Sequence, residues 1–377
     1  MGHCGLPSLI VDTVLLKVAS RCNLDCSYCY VYHSPDQGWR GQPARMSWAT
    51  IDAAIARLGE LQDRQGRALA VVLHGGEPLL LRKPRLEHLL RGLRKELGAQ
   101  ATIALQTNAT LLSDDIIEVF AQTRTAVAVS IDGPREVNDR FRRDHRERSS
   151  FSGTLDAIRR LNEHPQSDEF FKGTLSVVNP ATNPKQVYEF LKTTGVSSID
   201  FLYQDGNHDR LPHGKHSAES VEYGEWMARL WRCYVDDAGP IAIECLDNAT
   251  RGLMGRATTK EGSGTTSYGI LIVETDGTIA KNDTLKSSFD GADRFARSWS
   301  IHNDSLLAVA ESEEFNDYIS SQTPSHRACR TCSFLQACGG GMVLHRWSSK
   351  SGYDNPSIFC ADQKHLYRNI LHTIGAL

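Results

Sequence analysis

The sequence of 377 residues lacks several things that would place it at once. No apolar run approaches the roughly 20 residues of a membrane-spanning helix. The first residues, Met-Gly-His-Cys-Gly-Leu-Pro, have no basic stretch followed by a long apolar one, so no secretory signal is read there. Charge of one sign is not in excess: Lys plus Arg number 42 and Asp plus Glu 45, a net of −3. That balance gives no reason to expect nucleic acid or a membrane as partner. There is no internal repeat and no low-complexity tract; Glu261 to Ser267 is only a short flexible segment. Without export the expected location is cytoplasmic, where disulfides are disfavoured. Cysteine, by contrast, is plentiful. Seven of the ten fall at residues 22–29 and 329–360, and grouped cytosolic cysteines point to metal.

From residue 11 to about 203, strand-like and helix-like stretches alternate. Val14–Val18, Ala70–Leu73, Thr102–Leu105, Ala126–Val129, Thr174–Val178 and Ile199–Leu202 are apolar runs of strand length. Met46 to Leu61 has helical spacing, with Ser47 as N-cap. Six strands alternating with helices predict an α/β fold, a parallel sheet curved into a partial (β/α)6 barrel, with chemistry at the C-terminal strand ends. Residues 204–216 are polar and turn-rich, and read as a loop crossing the surface. Tyr223–Val235 reads as a helix, and residues 268–281 as a hairpin turning at Asp276-Gly277. Two short helices and the second cysteine group follow.

Cys22, Cys26 and Cys29 are spaced x3 and x2, directly after the first predicted strand. Three thiolates can hold three irons of a [4Fe–4S] cluster and leave the fourth open. The competing reading, structural zinc, lacks a nearby fourth ligand. Arg21-Cys22-Asn23-Leu24-Asp25-Cys26-Ser27-Tyr28-Cys29-Tyr30 resembles the signature of radical S-adenosylmethionine (SAM) enzymes. Further words of that family follow in order. His74-Gly75-Gly76-Glu77-Pro78 matches the segment that receives the SAM amino group, its glycines expected to let the ligand approach the backbone. Gln106-Thr107-Asn108 and Ser130-Ile131-Asp132-Gly133 resemble the contacts to the SAM ribose and carboxylate. The resemblance also implicates Tyr28 and Arg142, the latter within Asn138-Asp139-Arg140-Phe141-Arg142. It implies an oxidoreductase with SAM on a [4Fe–4S] cluster held by Cys22, Cys26 and Cys29.

Cys329-x2-Cys332-x5-Cys338-x21-Cys360 supplies four thiolates, a spacing that zinc or a cubane could use. With Gly339-Gly340-Gly341 it resembles the SPASM domain of peptide maturases, which implies an auxiliary [4Fe–4S] cluster on these four. Many members of that family place further cysteines at the hairpin and after the glycine run. Asn282 and Met342 stand there, so one auxiliary cluster is expected. The implied organisation is a radical SAM core (1–215), a bridging helical region (216–267) and a SPASM-like domain (268–377).

Asp200-Phe201-Leu202, Gly206-Asn207-His208-Asp209, Tyr223-Gly224-Glu225-Trp226, Val273 to Gly277, Asp283 to Lys286 and Gly352 to Ser357 resemble the cyclophane-forming maturases of ribosomal peptides. That resemblance implies a crosslink between an aromatic ring carbon and the Cβ of a nearby residue in a ribosomally made precursor peptide. Asp283 would be the base that removes the ring proton; the alternative is that it caps a turn. The competing enzyme is a thioether-forming, epimerising or sulfatase-maturing member, and the non-enzymatic alternative is a plain iron–sulfur or zinc protein. A flavodoxin or ferredoxin is the expected electron donor. No added leader-binding domain is read before residue 11. Of the remaining candidates, the six arginines among four acids at 135–148 read as a solvated loop or a rim for acidic substrate. His33 and His74 read as pocket wall, Cys233 and Cys245 as buried thiols, and Cys4 as incidental.

Overall fold

The computed structural model describes residues 11–375; Cys4 lies outside them. All six apolar runs are strands: β1 (Thr13–Ala19), β2 (Ala70–Gly75), β3 (Thr102–Thr107), β4 (Ala126–Ser130), β5 (Phe171–Val177) and β6 (Ser198–Leu202). They pair in chain order, each parallel to the next. One face of these strands is fully buried and the other is mostly half-buried, β2, β4 and β6 alternating between the two, so both faces carry apolar side chains. β7 (Ala242–Ile243) adds in parallel to β6. The remaining strands are β8 (Ile270–Val273), β9 (Thr278–Ala280) and β10 (Trp299–Ser300). The sheet runs β10-β9-β8-β1-β2-β3-β4-β5-β6-β7 and stays open, as a partial barrel must.

Helices cover the parallel strands. Trp48–Gln65 starts where Ser47 Oγ accepts from the Thr50 amide at 3.1 Å, and it stops at Gly66 in the left-handed conformation. It buries Ile51, Ala54, Leu58 and Leu61 at helical spacing. The expected hairpin is present as β8 and β9, but β8 also pairs in parallel with β1. The C-terminal segment therefore opens by extending the barrel sheet, which carries the β9 end to the mouth of the barrel.

Residues 204–216 form the expected surface loop, with Asp209 to Leu211, His213, Gly214 and His216 exposed, but its buried positions tie the barrel to the C-terminal segment. Lys215 Nζ meets Asp362 Oδ2 at 2.6 Å with both side chains 0% exposed, and Asp362 Oδ1 accepts from the Gly224 amide at 2.7 Å. Asn207 Nδ2 donates to the Ser287 carbonyl at 2.9 Å. Asp209 Oδ2 accepts from the Ser349 amide at 2.8 Å. Asn207 and Lys215 are buried and find partners there, because a buried polar group left unpaired is costly. Helix Glu222–Val235 then packs on helix Cys360–Thr373, with Gly224 so close to Asp362 that a Cβ would lie 2.6 Å from its backbone.

Candidate active site

Cys22, Cys26 and Cys29 sit on the loop leaving β1. The loop is folded by its own backbone, with the Cys29 amide donating to the Cys26 carbonyl at 2.8 Å. Cys22 Sγ accepts from the Leu24 amide at 3.3 Å and stands 3.8 Å from Asn108 Nδ2. The neighbouring glycines line the cavity and also let this loop pack closely against them. A Cβ on Gly75 would lie 2.1 Å from the Ala19 carbonyl oxygen, and one on Gly76 would lie 2.3 Å from that of Arg21 and 1.9 Å from the Tyr32 hydroxyl. Burial pushes the Cys29 thiol up to about 11, and raises Cys22 and Cys26 as well. A metal that binds here must therefore displace protons, and metal loading is pH-dependent.

The loop opens into a cavity of about 460 Å³, a volume in the range of cofactor sites. Its wall is made by strand ends, where the sequence places the chemistry. Gln106 Nε2 donates to Ser130 Oγ at 2.7 Å, and both face the cavity. Tyr28 and Arg142 line it as well. The Tyr28 hydroxyl accepts from Arg142 Nη1 at 2.9 Å and donates to Asp132 Oδ2 at 2.7 Å. Asp132 itself does not line the cavity. Its other oxygen accepts from the Val177 amide at 3.1 Å, so it orients Tyr28. Glu77 reaches the wall, but both its oxygens are engaged. Oε1 takes Thr107 Oγ1 at 2.6 Å and the Leu79 amide at 3.0 Å; Oε2 takes the Asn108 amide at 2.8 Å. Asn108 in turn holds Asn23 Oδ1 at 3.0 Å. Glu77 and Asn108 thus fix the ends of β2 and β3 against the cysteine loop.

The opposite wall comes from beyond β9. Asp283 is buried and ion-paired with Lys17 of β1, and it accepts from the Tyr30 hydroxyl at 2.8 Å. Burial alone would raise its carboxyl, but Lys17, with His74 and Lys286, outweighs burial and holds it below the usual carboxylate range. His74 lines the cavity with Nδ1 unpartnered. Burial, helped by Lys17, pushes its imidazole down to about 4, so it is neutral at pH 7. The two positions where resemblance would put extra cysteines, Asn282 and Met342, meet the loop of Glu261 and Gly262. Asn282 Nδ2 donates to Glu261 Oε1 at 2.6 Å, and a Cβ on Gly262 would lie 2.5 Å from Met342 Cγ.

Cys329, Cys332, Cys338 and Cys360 line one small second cavity. The chain reaches it through three successive glycines of positive φ; a Cβ on Gly339 would lie 1.6 Å from the Gly264 carbonyl oxygen. Burial raises the Cys329 thiol and pushes that of Cys338 up to about 12, and buried Arg346 partly offsets this at Cys329. Among the described residues no group of three or more His, Cys, Asp or Glu side chains is arranged to hold a single metal ion. The four thiols around one cavity are the donor set that an iron–sulfur cluster takes.

The structure separates other candidates. His33 is exposed and bonds Asp25 Oδ1 at 2.9 Å, away from the cavity it was expected to wall. Apart from buried Arg142, the 135–148 segment behaves as a solvated loop, Arg148 pairing with Asp144 at 2.6 Å and Arg143 with Glu147 at 3.7 Å. Cys233 and Cys245 are only partly buried, and Cys245 lines the main cavity. Lys260, Glu261 and Asp205 also line it and were not read from sequence. Lys17 carried the one available signal: a lysine inside a buried strand needs a buried anion. Among the described residues no helix is long and apolar enough to cross a membrane.

Residues 16–194 match the family described as the Radical SAM superfamily. The chain is 22% identical to a cysteine-type anaerobic sulfatase-maturating enzyme of Clostridium perfringens, over 94% of this chain and 95% of that protein. It is 26% identical to the serine-type enzyme of Bacteroides thetaiotaomicron, over 89% and 83%. The fold matches native anSMEcpe with bound AdoMet at a TM-score of 0.81, 20% identity and coverage of 96% and 98%. It also matches SuiB of Streptococcus suis bound to its precursor peptide SuiA, at 0.65, 14%, 93% and 76%. The expected ring-to-Cβ crosslink is overturned, because these curated relatives are sulfatase-maturating enzymes along nearly the whole chain. The part of the chain that supplies the three-cysteine loop, the Gly-Gly-Glu-Pro turn and the strand ends around the cavity, residues 16–194, is the part that matches the radical SAM superfamily.

Proposed function

We propose that this chain is a radical SAM maturase of the sulfatase-maturating kind, which oxidises the Cβ of a cysteine or serine side chain in a protein or peptide substrate to an aldehyde. The observation that carries the reading is that one cavity is lined both by Cys22, Cys26 and Cys29 and by the carboxyls of Asp283 and Glu261. A substrate side chain entering it would lie between a cluster-binding loop and proton acceptors. The near-full-length match to both cysteine- and serine-type relatives supports the same chemistry.

Cys22, Cys26 and Cys29 would hold a [4Fe–4S] cluster, with Gln106, Ser130, Tyr28 and Arg142 around its SAM. Reduced, that pair supplies a 5′-deoxyadenosyl radical able to take hydrogen from an unactivated carbon. Gly75 and Gly76 keep the loop seated, and Asp132 and Glu77 hold Tyr28 and Asn108 in place. His74 is neutral and Lys17 is paired with Asp283, so neither adds a free charge to the cavity wall. Cys329, Cys332, Cys338 and Cys360 would hold one auxiliary cluster in the C-terminal segment, and a flavodoxin or ferredoxin would deliver the reducing electron.

The test is anaerobic reconstitution with iron and sulfide, then SAM, reductant and a sulfatase-derived peptide containing cysteine or serine. Mass spectrometry after hydrazide trapping should find an aldehyde at that residue. Peptide that loses two hydrogens yet gives no trapped aldehyde would contradict the reading.

A further inference from the structure

Two carboxyls face this cavity, and they differ in what holds them. Asp283 Oδ2 receives both Lys17 Nζ and the Tyr30 hydroxyl. A carboxylate so neutralised is ionised but weakly basic, and a general base works best with its pKa near the working pH. Glu261 sits on the same wall without an ion-pair partner among the described residues; its one side-chain hydrogen bond comes from the neutral amide of Asn282, at 2.6 Å. Its loop is pinned on both sides. Lys260 is ion-paired with Asp200, and Gly262 lies against Met342. We infer that Glu261, not Asp283, accepts the proton released when the substrate carbon is oxidised; this rests on the reading that the cavity oxidises a cysteine or serine side chain.

The step balances simply. After loss of one Cβ hydrogen atom the substrate carbon is a radical bearing an S–H or O–H group. It becomes a carbon–heteroatom double bond by giving that proton to the Glu261 carboxylate and one electron to an iron–sulfur acceptor. The carboxylate becomes a carboxylic acid; with serine the product is the aldehyde itself, and with cysteine the thioaldehyde is then hydrolysed, water entering and hydrogen sulfide leaving. The surroundings of Glu261 favour proton uptake. Burial first, then the Asp283 and Asp205 carboxylates, push its carboxyl up to about 7, against the Asn282 hydrogen bond that lowers it. Tyr318 and Tyr268 face it as neutral phenols, and Glu261 raises both.

The experiment uses the reconstituted holoenzyme and a synthetic sulfatase-derived peptide with β-dideuterated cysteine. It follows deuterium in 5′-deoxyadenosine and aldehyde formed per 5′-deoxyadenosine, from pH 5.5 to 8.5. In the wild type that ratio should rise with pH through about 7, because the base must be deprotonated. Glu261→Gln should keep deuterium transfer, lower the ratio by about 100-fold and lose the pH dependence. Asn282→Ala removes the donor that favours the carboxylate, so its midpoint should move to higher pH. This second variant reads the same carboxyl without replacing it. A Glu261→Gln enzyme with the wild-type ratio and midpoint, or an Asn282→Ala midpoint that stays put, overturns the inference. Absence of deuterium from 5′-deoxyadenosine in the wild type would instead overturn the functional reading beneath it.

Discussion

Lys17, inside the strand that feeds the cysteine loop, is ion-paired with Asp283, which follows the C-terminal hairpin; their side chains are 3% and 2% exposed. The pair joins the two ends of the cavity wall and sets the charge on each. Breaking one side of a buried pair strands the other charge. Asp283→Asn or Lys17→Met should each cost about 3–5 kcal/mol of stability, and the double variant far less than the sum of the two. A double-mutant cycle by chemical denaturation measures this. Additive losses would mean the two charges are not coupled.

Gly76→Ala tests how the Gly-Gly-Glu-Pro turn seats the cysteine loop. The added methyl meets the Arg21 carbonyl oxygen and the Tyr32 hydroxyl, an overpacking that costs about 1–3 kcal/mol. The cysteine loop should be displaced, so cluster content after reconstitution should fall while the auxiliary cluster is retained. Normal iron content with weakened SAM binding would return the glycine to the ligand.

Iron content tests the cluster reading. The wild type should reconstitute with about eight irons per chain, two [4Fe–4S] clusters. Cys360→Ala should lose about half of that iron and still cleave SAM, because Cys22, Cys26 and Cys29 stand in the other cavity. About twelve irons per chain would mean a second auxiliary cluster despite Asn282 and Met342.

Much of the barrel was legible because six strands with one buried and one mostly half-buried face read as apolar runs, and because Ser47 announces a helix start. The cysteine sets were legible from spacing alone. What was not legible depended on distant partners. Asn207 and Lys215 look like surface-loop residues until Ser287 and Asp362 are brought to them. The same contacts explain the misreading of function. Gly206 to Asp209 and Tyr223-Gly224 dock the barrel on the C-terminal segment, and Glu274 bonds Lys286 at 2.5 Å. Such words belong to the shared architecture and do not choose the fate of a substrate. Glu261 went unread because a glutamate in a Gly-Ser-Thr segment carries no signal until Asn282 meets it.

The raised carboxyl of Glu261 has a consequence for folding. Its ordinary value is 4.5 and its folded value about 7. The folded state therefore holds the extra proton in that window, and stability from this group is full below pH 4.5 and lost as pH rises through about 7. Denaturation of wild type and Glu261→Gln across that range should give curves that diverge, with the wild type falling more steeply. Parallel curves would place the Glu261 carboxyl at its ordinary value.

The most direct measurement of the proposed chemistry asks which hydrogen leaves the substrate. Two sulfatase-derived peptides, deuterated at the reacting residue's Cα in one and at its Cβ in the other, are turned over with SAM under reduction. Deuterium should enter 5′-deoxyadenosine from the Cβ-labelled peptide alone, and that peptide should carry the trapped aldehyde. Label arriving from the Cα-labelled peptide, with peptide mass unchanged apart from exchange, would contradict oxidation at Cβ and make the enzyme an epimerase.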